Sequence, residues 1–357
     1  MSTILFSFKR CEFGGGAEKN MVEIAEHVAK RHKVHFLIAG GYIDPKMAAL
    51  GGVHLLPGRG RKIFFPLDML YLAYIILSER VDIVHAHHRY PAFLTSLVRR
   101  LLKVKLLTTV HNRFPDKAGI SLWGDKAIAV SQGIADWMTN ECGVAQEKVC
   151  VIHNGINPPK TYSVDVLKTL RVELDIPADV HVLCSVGRLT KQKNYVCLLN
   201  ALATVKSPKW MLLVVGEGED RLVLEQQAAN LDLNKRIRFL GHRKDVDKIM
   251  QISDIFVLSS AWEGFPYVIV EALANGLPIV STNVGGVADG VIDNVTGFLV
   301  PPGAERLLAD KIDTLLSNPA LRSSFSTSGK DLFREKFLDK AMLSRVDQEY
   351  AALLAKQ

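Results

Sequence analysis

Short apolar runs alternate with helix-length segments along the whole chain. In the first part, the runs that read as strands are Ile4–Phe8, Val34–Ile38, Ile83–Ala86, Leu106–Val110, Ala127–Val130 and Val149–Ile152. In the second part they are His181–Val186, Met211–Val215, Ile237–Leu240, Ile255–Leu258, Ile279–Ser281 and Phe298–Val300. Runs rich in Val, Ile and Leu, without polar alternation, are what parallel strands covered on both faces require. The pattern is played twice, which predicts two doubly wound α/β lobes. In such lobes ligands bind at the carboxyl ends of the strands. Asn157-Pro-Pro-Lys160 reads as the linker, because its prolines disfavour either regular structure. The expected organisation is therefore a lobe over 1–160, a second over 161–336, and a final helix over 337–357. That helix carries Leu338, Met342, Val346, Tyr350 and Leu354 on one stripe and needs a surface to cover.

Composition narrows the class. At 357 residues the chain exceeds one ordinary core, and 48% hydrophobic with 23% charged residues is globular rather than disordered, collagenous or coiled-coil. The longest nearly apolar stretch, Ile63 to Leu77, is interrupted by Pro66 and Asp68 and falls short of a membrane span. The start, MSTILFSFKR, does not read as a signal peptide. Five scattered cysteines without a CxxC pair indicate neither a disulfide framework nor a zinc site. A soluble protein of a reducing, cytoplasmic compartment is expected.

Charge is uneven. Residues 1–160 hold 21 Lys and Arg against 13 Asp and Glu, whereas residues 161–357 hold 23 against 24. Basic and apolar residues coincide in Gly58-Arg-Gly-Arg-Lys-Ile-Phe-Phe65, and again between Phe93 and Leu107 with Arg99, Arg100, Lys103 and Lys105. That mixture suits peripheral contact with an anionic membrane better than base readout, although an ordinary solvated helix face has the same composition. No nucleic-acid-binding module is recognisable.

Three loops carry candidate chemistry. Gly14-Gly-Gly-Ala-Glu-Lys19 joins the first strand to a helix expected over Asn20–Lys30, and its backbone N–H groups can face an anion. It is neither GxGxxG nor a P-loop, and three glycines also make a plain turn. Arg188 and Lys193 follow the strand His181–Val186, where two cations can neutralise a diphosphate. Glu263 lies in the loop after Ile255–Leu258, and Glu271 about one turn inside the helix expected between Pro266 and Gly276. Two such carboxylates can accept hydrogen bonds from vicinal hydroxyls. Spacing alone does not single them out, since Glu18/Glu26 and Glu217/Glu225 share it.

The ordered series GRLTKQKN, VVGEGED, FLGH, DIFVLSSAWEGFPYVIVEALANGLPIVSTNVGG and TGFLVPPG resembles the retaining nucleotide-sugar glycosyltransferases of family 4. GGGAEK, DIVHAHH, TVHN, AVSQGI and VIHNGIN extend that resemblance over the first half. It implies the GT-B fold: two Rossmann-like lobes facing a central cleft, acceptor lobe first and donor lobe second, with the last helix crossing back to the first lobe. It further implies roles for particular residues. Gly15 and Gly16 resemble the loop near the donor phosphate, Arg188 and Lys193 the cation pair on the diphosphate, and Glu263 the group holding the transferred sugar's hydroxyls. Gly264 and Phe265 belong to the same donor loop, and Glu271 resembles the ribose-binding glutamate. His111 resembles the first-lobe histidine that positions the anomeric carbon. His111, Arg188, Lys193 and Glu263 are thus the expected catalytic set, and no residue is assigned as a nucleophile. Where the family often has Pro-Glu after its glycine pair, this chain has Ala288-Asp289, and His153 replaces a common proline before Asn154-Gly155.

The expected reaction moves a hexose from a nucleotide sugar, UDP-linked by family frequency, to a lipid-linked glycan at the inner membrane face. A related two-lobed epimerase, an inverting transferase or a non-catalytic nucleotide-sugar-binding protein are the alternatives. No cofactor is expected. Asp245-Val-Asp247 matches the metal-binding DxD literally, yet it falls at an expected helix start, where aspartates pair with the helix dipole. Among His85, His87 and His88, adjacent histidines point apart, so zinc is not expected, and His87 is the candidate acceptor contact. Trp123, Trp137 and the Phe64-Phe65 pair are expected in the core or an interface.

Overall fold

The computed structural model describes residues 1–11, 15–113 and 123–355. The chain divides into two compact units, Met1–Asn154 with Lys340–Gln357, and Gly155–Asp339. The first crossing thus falls just ahead of the expected proline linker. Ile156 remains in the second unit through a parallel bridge to Leu338 and a hydrogen bond from its N–H to the Phe337 carbonyl (3.0 Å).

In the first unit, β1 (Thr3–Phe8), β2 (Lys33–Ile38), β3 (Gly52–Leu55), β4 (Ile83–Ala86), β5 (Lys105–Val110), β6 (Lys126–Ala129) and β7 (Val149–Val151) build one parallel sheet. Its order is β3-β2-β1-β4-β5-β6-β7. The connecting helices are α1 (Gly16–Val28), α2 (Pro45–Leu50), α3 (Phe65–Ser78), α4 (Arg89–Val98) and α5 (Gln132–Asn140). Alternate residues of β1 feed different cores: Ile4, Phe6 and Phe8 join α1 on one face, while Leu5 joins α3 and α4 on the other. Both faces are therefore covered, as unalternated apolar strands demand.

β3 was not expected, and its sequence explains why. Gly52-Val-His-Leu55 is short, follows Gly51 and is not uniformly apolar, because an edge strand is only half covered. The first helix also begins earlier than expected, at Gly16 rather than Asn20, with Gly15 as its N-cap.

In the second unit the chain runs α6 (Val164–Glu173), β8 (His181–Val186), α7 (Tyr195–Leu202), β9 (Trp210–Val215), α8 (Arg221–Asn230), β10 (Ile237–Phe239) and α9 (Val246–Gln251). It continues through β11 (Ile255–Leu258), α10 (Tyr267–Asn275), β12 (Ile279–Thr282), α11 (Val287–Gly290), β13 (Gly297–Val300), α12 (Glu305–Ser317) and α13 (Pro319–Lys336). The parallel sheet has the order β10-β9-β8-β11-β12-β13.

The final helix, α14 (Asp339–Leu354), packs on the first unit, with Met342, Val346, Tyr350 and Leu353 in the same core as α1. Leu338 precedes the helix and Leu354 is only half-buried, so the expected stripe is right in its middle and shifted at its ends. Tyr350 is buried, and its hydroxyl lies 2.7 Å from Nδ1 of His85 on β4.

One helix departs from the amphipathic rule. Ile63 and Phe64 ahead of α3, and Leu67, Leu70, Tyr74 and Leu77 along it, are between 44% and 81% exposed. They recur every three or four residues and so lie on one face. Phe64, expected in a core or interface, is thus exposed, while Phe65 packs on Phe93 with ring centroids 5.7 Å apart. Trp123 and Trp137 are buried and meet edge to face.

Beside that face a basic loop is pinned from below. Buried Asp68 accepts hydrogen bonds from the backbone N–H of Gly58 (2.7 Å) and Gly60 (3.2 Å) and from the Tyr90 hydroxyl (2.6 Å). A Cβ at Gly58 would sit 2.4 Å from Phe64 Cβ, so only glycine allows this approach. Arg59 and Arg61 are left exposed next to the apolar face. No helix among the described residues is long and apolar enough to cross a membrane.

Candidate active site

In each sheet the strand order reverses at one point, and in open parallel sheets ligands bind beside the loops that leave the carboxyl ends of the flanking strands. In the second unit the reversal lies between β8 and β11. The β8–α7 loop supplies Arg188 and Lys193, and the β11–α10 loop supplies Glu263.

These two loops are tied to each other. Ser259 Oγ donates to the carbonyls of Lys193 (3.0 Å) and Asn194 (3.1 Å). Ala261 N–H donates to the Gln192 carbonyl (2.8 Å), and the Gln192 side-chain amide donates to the Trp262 carbonyl (3.1 Å). Lys193 is thereby fixed with its alkyl chain over Gly187, where a Cβ would lie 3.1 Å from Lys193 Cε. Its Nζ donates to Glu263 Oε1 at 2.6 Å, and Ser260 Oγ donates to the same oxygen at 2.6 Å. Glu263 is 6% exposed and Lys193 14%, so the pair is largely dry. An ionised carboxylate withdrawn from water needs such charge-assisted partners.

A third loop, after β12, holds Glu263 from behind. Gly285 adopts φ +55° and its Cα lies so close that a Cβ would come within 1.8 Å of the Glu263 carbonyl oxygen. Gly286 N–H donates to the Gly264 carbonyl (2.8 Å), and Thr282 Oγ1 donates to the Ser260 carbonyl (2.6 Å). Any side chain at Gly285 would push this loop off Glu263.

The remaining second-unit residues are placed as follows. Arg188 is exposed at the carboxyl end of β8. Glu271 is half-buried, the fifth residue of α10, whose start after Pro266 and left-handed stop at Gly276 match the punctuation in the sequence. Phe265 is buried, its ring 5.3 Å from that of Phe337, so packing occupies its side chain and only its backbone remains for a ligand. Asp289 is half-buried in the single turn of α11. Asp245 is the N-cap residue of α9, and both its oxygens are forked by Arg243 (2.8 and 2.9 Å). That guanidinium holds the Asp245 carboxyl below its ordinary pKa.

Ser260, Gln192, Thr282 and Gly285 were not among the expected site residues. They touch Glu263 or its loop through contacts that small polar residues and glycines do not advertise in a single sequence.

In the first unit the order reverses between β1 and β4. The loop after β1 leads to Gly15, the N-cap of α1, and Gly16, its first residue; Gly14 lies outside the described residues. A histidine ladder occupies the ends of β4 and β5. His85 is bonded at both nitrogens, to the Tyr350 hydroxyl and to Thr109 Oγ1 (each 2.7 Å). His87 Nδ1 lies 3.1 Å from His111 Nε2, and their rings stack at 5.4 Å. His87 was expected to face an acceptor, but it is 3% exposed beside Phe6 and His85, since residues two apart on a strand share a face. His111, half-buried at the strand end, is the ladder's outer member.

Burial pushes both His85 and His111 down to about 3, and His88 down to about 4, so all three are neutral at physiological pH. Burial, helped by the neighbouring histidines, holds His87 well below its ordinary value too. Since His85 has both nitrogens engaged, this cluster offers hydrogen bonds rather than a vacant metal ligand set.

Two family descriptions match successive stretches, "Glycosyltransferase Family 4" over residues 14–160 and "Glycosyl transferases group 1" over residues 168–332. The chain belongs to the family-4 glycosyltransferases, with the GT-B fold. It is 24% identical to N-acetyl-alpha-D-glucosaminyl L-malate synthase of Bacillus anthracis over 366 aligned residues, covering 95% of this chain and 94% of that one. It is 28% identical to the Escherichia coli UDP-Gal:alpha-D-GlcNAc-diphosphoundecaprenol alpha-1,3-galactosyltransferase, covering 72% of each. Among solved structures, Anabaena Alr3699/HepE in complex with UDP-glucose superposes with a TM-score of 0.86 at 23% identity, covering 99% of this chain and 100% of that one. This chain is also similar to glycosyltransferases named for lipopolysaccharide core and capsular polysaccharide biosynthesis.

The dryness of the Lys193–Glu263 pair makes a stability prediction. Lys193→Met strands a buried carboxylate and should cost about 3 kcal/mol, whereas Lys193→Met with Glu263→Leu should recover much of that loss. Urea unfolding of the two variants checks this; a double variant less stable than the single one would contradict it.

Proposed function

We propose that the protein transfers a hexose, with retention of configuration, from a UDP-sugar to a lipid-linked glycan in cell-surface polysaccharide or lipopolysaccharide synthesis, without a metal ion. The observation that carries this reading is the Lys193–Glu263–Ser260 constellation at the strand reversal of the second unit. The UDP-glucose bound to the Anabaena protein and the UDP-Gal and diphosphoundecaprenol in the name of the Escherichia coli relative support the choice of donor and acceptor class.

In this mechanism the bond between the anomeric carbon and the phosphate oxygen breaks with oxocarbenium-like character, and charge grows on the departing diphosphate. Arg188 forks phosphate oxygens, while Lys193, with three N–H donors, serves a phosphate oxygen and Glu263 at once. Fixed cations stabilise the leaving group without reorganising during the reaction. Glu263, oriented by its hydrogen bonds from Lys193 and Ser260, has its remaining acceptor capacity for the hydroxyls of the transferred sugar. Glu271 binds the ribose, and the backbone at Gly264 and Phe265 borders the same donor. Gly15 and Gly16 present N–H groups to the donor phosphate. Neutral His111 donates or accepts a hydrogen bond at the sugar, and His87 acts as a positioning residue that fixes its ring. The departing phosphate oxygen takes the acceptor's proton on the same face, so no protein nucleophile is used.

If this reading holds, Glu263→Gln and Arg188→Ala should each lower kcat/KM by about a hundredfold or more, with the fold intact by circular dichroism. Turnover of UDP-hexose at the wild-type rate by both variants would show that the transfer site is elsewhere.

A lipid-linked acceptor requires the enzyme to work at a membrane surface, and the exposed face of α3 with Arg59 and Arg61 has the chemistry for it. Apolar side chains enter the headgroup boundary while arginines meet anionic lipid. The protein should float with vesicles of phosphatidylcholine containing phosphatidylglycerol, less so as salt rises, and not with pure phosphatidylcholine. Leu70→Asp with Tyr74→Asp should abolish flotation; unchanged flotation would exclude α3 as the contact.

A further inference from the structure

Away from the loops described above, β2, β3 and the end of α3 bring together two imidazoles and a carboxylate. In the parallel register His35 on β2 is opposite Gly52, and Leu37 is opposite His54 on β3. His35 and Leu37 share one face of β2, as Gly52 and His54 share one face of β3, so both histidines project to the same side. Gly52 leaves the room in which they meet. A Cβ there would lie 2.7 Å from His35 Nδ1 and 3.3 Å from His54 Nε2. The two rings stack with centroids 5.3 Å apart, and His35 Nδ1 lies 3.1 Å from His54 Nε2. Glu79, the C-cap residue of α3, completes the group with Oε2 at 3.3 Å from His35 Nε2.

His35 is 5% exposed, and its Nε2 is buried without a hydrogen-bond partner among the described residues. A buried polar atom in that condition is costly and calls for an explanation. It faces the carboxylate at close range but in poor geometry for a hydrogen bond. One ligand atom from each of His35, His54 and Glu79 can be chosen so that all lie within 4.8 Å of one another.

We propose that His35, His54 and Glu79 bind one divalent transition-metal ion of the zinc type, which clips the edge strand β3 to β2 and to the end of α3. Two histidines and one glutamate form a mixed nitrogen–oxygen set of the kind zinc accepts, with a fourth position left for water. Burial lowers the pKa of both histidines, which keeps them neutral and able to ligate, while the hydrogen bond from Lys33 keeps Glu79 ionised. Lys33 Nζ now lies 2.9 Å from Glu79 Oε2 and competes for that oxygen. Lys33 is 54% exposed and can swing into water when the ion enters. The ion would stabilise an edge strand of four residues and takes no part in the proposed transfer, so this inference stands independently of the function above.

Cobalt(II) titrated into the metal-stripped full-length protein tests the proposal, read as visible ligand-field bands and as Tm with and without Zn2+. One equivalent should give the intense bands of a four-coordinate ion, and Zn2+ should raise Tm by mass action. His54→Gln and Glu79→Gln, both at partly exposed positions, should each lose the bands while keeping the wild-type circular dichroism spectrum. Lys33→Ala should tighten binding by removing the competitor. Absent bands in the wild type, bands that survive both ligand substitutions, or weaker binding by Lys33→Ala would overturn it.

Discussion

A carboxyl group withdrawn from water and tied to a lysine is the constraint around which the second unit is arranged. Glu263 draws one hydrogen bond from its own loop through Ser260, one from the β8–α7 loop through Lys193, and backbone support from the glycine turn after β12. Three loops separated by whole helices in sequence have to meet at one residue, Lys193 and Ser260 at its Oε1 and the glycine turn at its backbone carbonyl. They can do so because β8, β11 and β12 are neighbours and all run the same way, so their carboxyl ends share an edge. The loop-to-loop hydrogen bonds of Ser259, Gln192 and Ala261 then remove the freedom that would let Lys193 drift into solvent. The parallel sheet thus does more than fill a core; it sets the electrostatics of the site.

The first unit uses the same architecture for a different purpose. Its reversal carries neutral imidazoles instead of an ion pair, in ring contact from buried His85 through His87 to His111. The ladder is anchored at the far end by Tyr350, a residue of the terminal helix. A helix from the end of the chain thereby helps set the orientation of a histidine near its beginning. Burial removes the charge from these histidines, leaving groups that can direct a hydrogen bond without attracting a phosphate.

Much of this was legible in the sequence. Strands buried on both faces announce themselves as unbroken Val, Ile and Leu runs, and Ile83–Ala86, His181–Val186 and Ile255–Leu258 have the expected bounds. Pro266 and Gly276 bracket α10 because proline suits a helix start and glycine a left-handed stop. What was not legible depends on tertiary contact. β3 is an edge strand whose exposed positions weaken its pattern, and Ser260 and Gln192 matter only through partners distant in sequence. His87 was expected to meet an acceptor because it ends a strand, yet the depth of a side chain at a strand end depends on what packs above it. The exposed face of α3 was hidden for the opposite reason: a run of apolar residues looks the same whether it is covered or not.

The proposed transfer requires the second unit to hold a nucleoside diphosphate at Arg188 and Lys193 without a metal ion. Melting temperatures with UDP, GDP, ADP and CMP, each with and without EDTA, test it without any acceptor. A rise with UDP that survives EDTA and is lost in Arg188→Ala is the predicted result. No shift with any of the four nucleotides, or a UDP shift abolished by EDTA, would contradict it.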